Sequence, residues 1–297
     1  MPETTAADIP APDPGSPRTL GILAGGGPLP GQVAAAAQAA GRRVFMVGLE
    51  GCAEQAVLAP WPHEVIRITA PGRILAALRS SGCQDLVLIG PVRRPSLLGH
   101  RPGAEDARIL ARLGRAAFGG DDGLLGAVVR VLGEEGFRVI GAQEVLREAI
   151  GPAGLLTRAN PDALAMADIR RAVAVARALG AVDVGQGCVV QQGMVLALEA
   201  AEGTDAMLAR CAALARPGPG GVLVKLLKPG QERRADLPTL GVRTVRGAAA
   251  AGLQGIAFEA GGTLLADRDA AIAAADAAGI FLLGLDPDSL LEGRDSE

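Results

Sequence analysis

The sequence predicts an α/β protein of two domains, and three observations carry that expectation. Short runs of Val, Leu and Ile alternate with Ala-rich stretches at helical spacing, the pattern of parallel strands joined by helices. The first run, 19–24, leads at once into Gly25-Gly26-Gly27-Pro28-Leu29-Pro30-Gly31 and then a strong helix former. Strand, glycine loop and helix in that order open a Rossmann-like unit with a parallel sheet. Finally, 297 residues at roughly 100–200 per domain point to two domains. The pattern loosens over 145–160, so the expected division is 19–150 and 151–285, with a Pro-rich disordered extension at 1–18 and a frayed acidic tail at 286–297.

Composition narrows the function classes. A net charge of −3 and 2% aromatic residues offer neither the basic excess nor the stacking surface that nucleic acid requires. The cysteines at 52, 83, 188 and 211 are far apart and lack zinc-ribbon spacing, and His63 and His100 are the two histidines, read as loop or surface residues. A thiolate zinc site, a disulfide framework and a Ser-His-Asp triad therefore have little raw material. The first 18 residues have no apolar core of the signal-peptide kind, and no window approaches the roughly 20 apolar residues of a membrane span. A soluble, cytoplasmic protein is expected.

In order along the chain, the glycine loop could present backbone N–H groups to a phosphate, although Pro30 stands where the G-x-G-x-x-G fingerprint needs glycine. The second strand, 43–49, ends at Glu50, which is either a ribose-binding acid or a polar residue leaving a strand. Strands at 64–68 and 85–89 flank a helix over 72–80. Asp121 and Asp122 open a helix over 124–135 as caps, or as metal or ribose contacts. Phe137–Ile140 closes the first domain. Asn160 as N-cap and Pro161 in the first turn predict a helix to Leu179. Val189-Val190 and Met194–Leu198 around Gln191-Gln192-Gly193 predict a hairpin. Thr204 is the expected N-cap of a helix over 206–215; alternatively that helix start, with Glu199, Glu202 and Asp205, holds a phosphate or part of a metal site. Arg243-Thr244-Val245, a helix over 247–252, the run 255–259, a helix over 267–278 and the run 280–284 complete a second α/β layer.

The densest charge follows the apolar run 221–224. From Lys225 to Pro238 the chain places two lysines, two arginines, Gln231 and Asp236 around two prolines. This is either a solvated loop closing a strand or a stiffened anion site in which the Asp236 carboxylate serves a metal or a water.

Taken together, Leu20–Pro30, Glu199–Asp205 and Lys225–Pro238 resemble the LpxI-type UDP-2,3-diacylglucosamine pyrophosphatases of lipid A biosynthesis. The likeness runs from about Thr19 to Leu285, and the third stretch is the most specific. The resemblance implies a Rossmann-like N-terminal domain and a second α/β domain particular to the family. It also implies Mg²⁺-dependent hydrolysis of the lipid nucleotide to UMP and 2,3-diacylglucosamine 1-phosphate, by water attack on the sugar-side phosphorus. Asp236 occupies the position of the family's key catalytic residue. Lys225, Lys228 and Arg234 would supply positive charge, and Glu199, Asp205 and Asp236 the hard oxygen donors for Mg²⁺. Substrate contacts are expected at Gly25, Gly26, Gly27, Pro28, Gln192, Thr204 and Gln231. The expected partners are the glycolipid nucleotide, the surface of the inner membrane by peripheral contact, and a second copy in a homodimer. Two rivals remain open: an NAD(P)-dependent oxidoreductase built on the glycine loop and Glu50, and a nucleotide-lipid binding protein without catalysis.

Overall fold

A computed structural model describes residues 18–92, 103–114 and 121–292, except the side chains of 121 and 122. The N-terminal extension, Arg93-Arg94-Pro95, His100, Gly119-Gly120, the capping role of Asp121 and Asp122, and the last five residues of the tail lie outside the described residues. The chain forms two compact units, one covering 18–114 with 124–145 and the other covering 146–292 with 121–123.

The first unit contains β1 (Leu20–Ala24), α1 (Leu29–Ala39), β2 (Val44–Leu49), α2 (Gln55–Leu58), β3 (His63–Ile66), α3 (Pro71–Ser80), β4 (Asp85–Ile89), α4 (Ala104–Leu113), most of α5 (Asp121–Glu134), β5 (Arg138–Val139) and α6 (Ala142–Val145). The five strands are all parallel in the order β3-β2-β1-β4-β5, with β1 central and registered on both β2 and β4. This is the order a right-handed βαβ series generates when it winds outward and then reverses. Parallel central strands are covered on both faces, which is why they read as near-continuous apolar runs: Leu20, Ile22, Met46, Val47, Leu86 and Val87 are fully buried.

The second unit contains β6 (Gly154–Leu155), α7 (Ala163–Ala181), β7 (Gly187–Gln191), β8 (Met194–Leu198), α8 (Gly203–Cys211), β9 (Val222–Lys225), β10 (Thr239–Gly241), α9 (Val242–Ala250), β11 (Gly255–Glu259), β12 (Leu264–Ala266), α10 (Arg268–Ala278), β13 (Phe281–Leu285) and α11 (Pro287–Glu292). Six strands form one mixed sheet, β6-β13-β11-β9-β7-β8, in which β9, β11 and β13 are parallel and the β7–β8 hairpin runs against β9. The alternation of side chains along each strand divides the core in two. Leu223, Ile256, Phe258 and Leu282 pack under α8, α9 and α10. Val222, Val224, Ala257 and Phe281 pack under α7, with Leu290 and Leu291 of α11 at the margin. The result is a three-layer α/β/α sandwich.

Three local expectations need correction. Helix α7 begins two residues late: Asp162 is its N-cap and accepts from the Ala165 N–H at 2.7 Å, while the Asn160 side chain turns back toward the Arg158 carbonyl. Arg243-Thr244-Val245 is the first turn of α9, with Thr244 and Val245 on its buried face, so packing overrides their strand propensity. The tail from Asp286 is ordered as far as Glu292, because the Asp286 carboxylate accepts from the Asp288 N–H at 3.0 Å and from the Ser289 hydroxyl at 2.7 Å.

Candidate active site

The carboxyl ends of β9 and β11, the start of β7 and the end of β8 meet along one edge of the six-stranded sheet. Lys225, last in β9, is registered against Gly187 on one side and Phe258 on the other. It is 4% exposed, so its ammonium must be satisfied inside the protein. It donates to the Thr204 hydroxyl at 2.8 Å and to the Thr239 carbonyl at 3.2 Å. An ammonium can only donate, so the hydroxyl accepts from it and spends its single proton on Glu199 Oε1, 2.7 Å away. Lysine, threonine and glutamate thus form a directed chain. Thr204 joins it because it lies in the first turn of α8 with its hydroxyl aimed at the sheet. The expected cap is therefore absent: the capping position is Glu202, and no side chain caps the helix.

Glu199 follows β8, where its N–H donates to the Gly187 carbonyl at 2.9 Å. Its carboxylate is buried, and Oε2 has no hydrogen-bond partner among the described residues. That oxygen lies over Gly187, where a Cβ would come within 2.5 Å of it, so residue 187 must be glycine for the carboxylate to sit there. A buried acceptor without a donor is costly unless something else supplies one.

The loop from Leu226 to Pro238 is tied down from several directions. The Leu227 N–H donates to Glu259 Oε2 at 3.0 Å, and the Lys228 N–H to Gln231 Oε1 at 2.9 Å. Lys228 Nζ is buried against Asp183 Oδ1 at 2.6 Å. Gln231 is the hub of the loop, since its amide donates to Asp236 Oδ2 at 2.5 Å and reaches Gln186 Oε1 at 3.4 Å. The Leu226 N–H also donates to the Gln186 carbonyl, so Gln186 and Gly187 link the Asp236 group to the Glu199 group. Arg234 forks onto Glu232 at 2.8 and 2.7 Å, and its hydrogen bond holds the Glu232 carboxyl below the ordinary range. Arg233 donates to the Gly261 carbonyl at 2.9 Å. Nearly every charge in the loop thus has an opposite charge or a dipole built in beside it. Sequence reasoning missed Asp183, Gln186, Gly187 and Glu259, which are partly buried polar residues and a glycine that no local pattern marks out, since their partners are distant in sequence.

Likeness to known proteins runs through both units. The family model described as the LpxI N-terminal domain matches residues 19–149, and that described as the LpxI C-terminal domain matches 152–283. The chain belongs to the LpxI family. A relative from Caulobacter vibrioides, named UDP-2,3-diacylglucosamine pyrophosphatase LpxI, is 46% identical over 276 residues, which cover 91% of this chain and 98% of that protein.

Within this LpxI-family chain, the expected site residues divide into two groups. Lys225, Thr204, Glu199, Lys228, Gln231 and Asp236 belong to the linked groups along the edge of the C-terminal sheet. Arg234 is on the same loop, with its guanidinium on Glu232. Asp205 is drawn elsewhere: its carboxylate pairs with Arg243 at 2.7 Å on the surface. Gln192 sits in the β7–β8 turn at the other end of β7 from Gly187, about 17 Å along the strand at ~3.3 Å per residue. There its N–H donates to Asp168 Oδ2 at 2.8 Å and its amide to the Pro217 carbonyl, which fixes the turn. Gly25, Gly26, Gly27 and Pro28 lie in the N-terminal unit after β1. The three glycine N–H groups already donate to the Ile89 carbonyl, the Pro91 carbonyl and Glu54 Oε1, at 2.9, 3.0 and 3.1 Å.

Among the described residues no three acids, histidines or cysteines group as a complete metal cage. Mg²⁺ does not need one, because it binds through one or two carboxylates with phosphate oxygens and water filling the remainder. The orphaned Glu199 Oε2 is a donor of that kind, so the donor set fits the ion in this limited form, with Asp236 as a further carboxylate of the linked groups. No described helix is long and apolar enough to cross a membrane.

Proposed function

We propose that this protein is a UDP-2,3-diacylglucosamine diphosphatase. It hydrolyses the pyrophosphate of its lipid nucleotide, with Mg²⁺, to UMP and 2,3-diacylglucosamine 1-phosphate in lipid A biosynthesis, and it works in the cytoplasm at the inner face of the membrane that holds the lipid. The observation that carries this reading is the likeness to the Caulobacter pyrophosphatase over nearly the whole of both chains.

The geometry of the C-terminal edge supports it. Breaking a phosphoanhydride requires fixed positive charge at the phosphoryl oxygens and a water held in line with the leaving group. Lys225 offers an ammonium that is fixed before substrate arrives. Lys228 adds a second on the adjoining loop. Asp236 is half-buried and oriented by the Gln231 amide, and in this reading it orients the attacking water and takes up its proton. Attack on the sugar-side phosphorus leaves UMP as the departing group. Glu199 and Asp236 are the residues that would hold Mg²⁺, and the chemistry a bound ion supplies is withdrawal of charge from the phosphoryl oxygens. The dinucleotide alternative is weakened at both its supports, since the glycine amides are engaged and Glu50 pairs with Arg67 at 2.9 Å.

The test is purified protein with UDP-2,3-diacylglucosamine, with and without EDTA, with products read by mass spectrometry. The expected result is UMP release abolished by EDTA, with label from ¹⁸O-water appearing in the sugar phosphate. Binding without UMP release would replace the proposal with the non-catalytic reading, and label in UMP would overturn the site of attack.

A further inference from the structure

The amino edge of the N-terminal sheet, opposite the glycine loop, holds an open cavity of about 490 Å³ that the proposed chemistry does not use. Its walls include Gln38, Arg42, Arg43, Phe45, Trp61 and Ser81. Arg43 immediately precedes β2 and Trp61 lies two residues before β3; because these strands are parallel, both belong to the same edge. The volume is in the range of small-ligand sites. The chain has one Trp, five Phe and no Tyr, and two of those six rings line this one cavity.

The charge here is one-sided. Asp85, fully buried at the start of β4, is shared by Arg42 at 2.6 Å, Arg138 at 2.8 Å and Arg18 at 3.6 Å. Even with Glu144 acting on Arg138 beside Asp85, two carboxylates leave the three guanidiniums in excess. The exposed Arg43, on the wall of the cavity, has no carboxylate partner among the described residues. A guanidinium presents a planar fork suited to phosphate oxygens, and a ring beside it offers a flat apolar face.

We propose that this cavity binds an organic phosphate, with the phosphate on Arg43 and the remainder of the molecule laid against Trp61 and Phe45. A soluble nucleotide and the headgroup of an anionic phospholipid share this chemistry. The site does not depend on the hydrolase reading, since none of its residues belongs to the edge of the C-terminal sheet.

Trp61 is the sole tryptophan, so its emission reports on this cavity directly. The experiment titrates full-length protein with UMP, with dihexanoylphosphatidylglycerol below its micelle concentration, and with dihexanoylphosphatidylcholine as the zwitterionic control. The same series is run on Arg43→Gln. A saturable change in Trp61 emission is expected with UMP, with phosphatidylglycerol or with both, and the responding ligand identifies the source. The affinity should fall at least tenfold in Arg43→Gln, while pyrophosphatase turnover and the far-UV spectrum stay at wild-type values. No saturable response to either anion, an equal response to phosphatidylcholine, or an undiminished response in the variant would overturn the site. A wild-type protein that shows the response but releases no UMP would instead count against the hydrolase reading alone.

Discussion

Thr204→Val keeps the volume and branching of the side chain while removing the hydroxyl between a buried lysine and a buried glutamate. Two hydrogen bonds disappear, 2.8 Å from Lys225 and 2.7 Å from Glu199. Hydrogen bonds to charged groups contribute about 1.5–3 kcal/mol each. Lys225 keeps the Thr239 carbonyl, and its ammonium can close part of the gap to the carboxylate, so the lower end of the sum, about 3 kcal/mol, is expected. At ~2–4 °C per kcal/mol for a domain of this size, the C-terminal unit should melt about 6–12 °C lower. Urea unfolding followed by circular dichroism checks the free energy, and Thr204→Ser, which restores the hydroxyl, should recover most of it. A valine variant within ~1 kcal/mol of wild type, or a serine variant no better than valine, would refute the view that the hydroxyl carries the chain.

Four further outcomes follow from the same structure. Gly187→Ala places a methyl 2.5 Å from Glu199 Oε2, so turnover should drop sharply with a smaller loss of stability, and wild-type kcat would show that the carboxylate can move aside at little cost. Asp236→Ala should lower kcat at least ~100-fold while substrate binding, read by calorimetry, survives; near-normal turnover would remove Asp236 from the chemistry. Burial alone would raise the Asp85 carboxyl, but hydrogen bonds from Arg138 and Arg42 outweigh it and hold the group below its ordinary value. Its stabilisation is therefore present above the unfolded pKa of about 4 and lost as pH falls through the lower folded value, so Asp85→Asn should flatten the acid limb of N-terminal stability. Burial pushes the Cys83 and Cys188 thiols up to about 12, and Cys211 is also buried, so native protein should react with a thiol reagent first at the half-buried Cys52, as peptide mapping would show.

The central strands were legible because a strand covered on both faces must be largely apolar, as β1 is throughout and as β4 and β9 are apart from Asp85 and Lys225 at their ends. The short strands β6, β10 and β12 were not, since two or three residues at a sheet margin carry too little pattern. Thr244 and Val245 misled for a related reason: their β-branching is a local preference, while the hydrophobic face of α9 is set by contacts distant in sequence. The candidate site shows the same division. The run from Lys225 to Pro238 announced itself by charge density, and Asp236 and Lys225 could be singled out there. What those charges face could not be read, because Asp183 is 45 residues from Lys228 and Glu259 is 32 residues from Leu227. The register of β7 against β9 brings Glu199 and Gly187 to Lys225, and no local pattern encodes that pairing.

Lys225 is carried by β9, a strand paired on both sides by β11 and β7, whereas Lys228 and Asp236 ride on a loop held chiefly by side-chain hydrogen bonds. The edge therefore joins a cation fixed by strand pairing to a segment tied mainly by side chains. Breaking strand pairs to move Lys225 would disturb the whole sheet, whereas exchanging the partners of Gln231 or Lys228 disturbs the segment 226–238 and the Asp183 and Gln186 side chains beside it. Adjustment of the edge to a ligand is therefore expected in that segment first. Variants that accelerate or slow the cycle without altering the grip should accordingly be found among its prolines and glutamine, and not in the strand beneath.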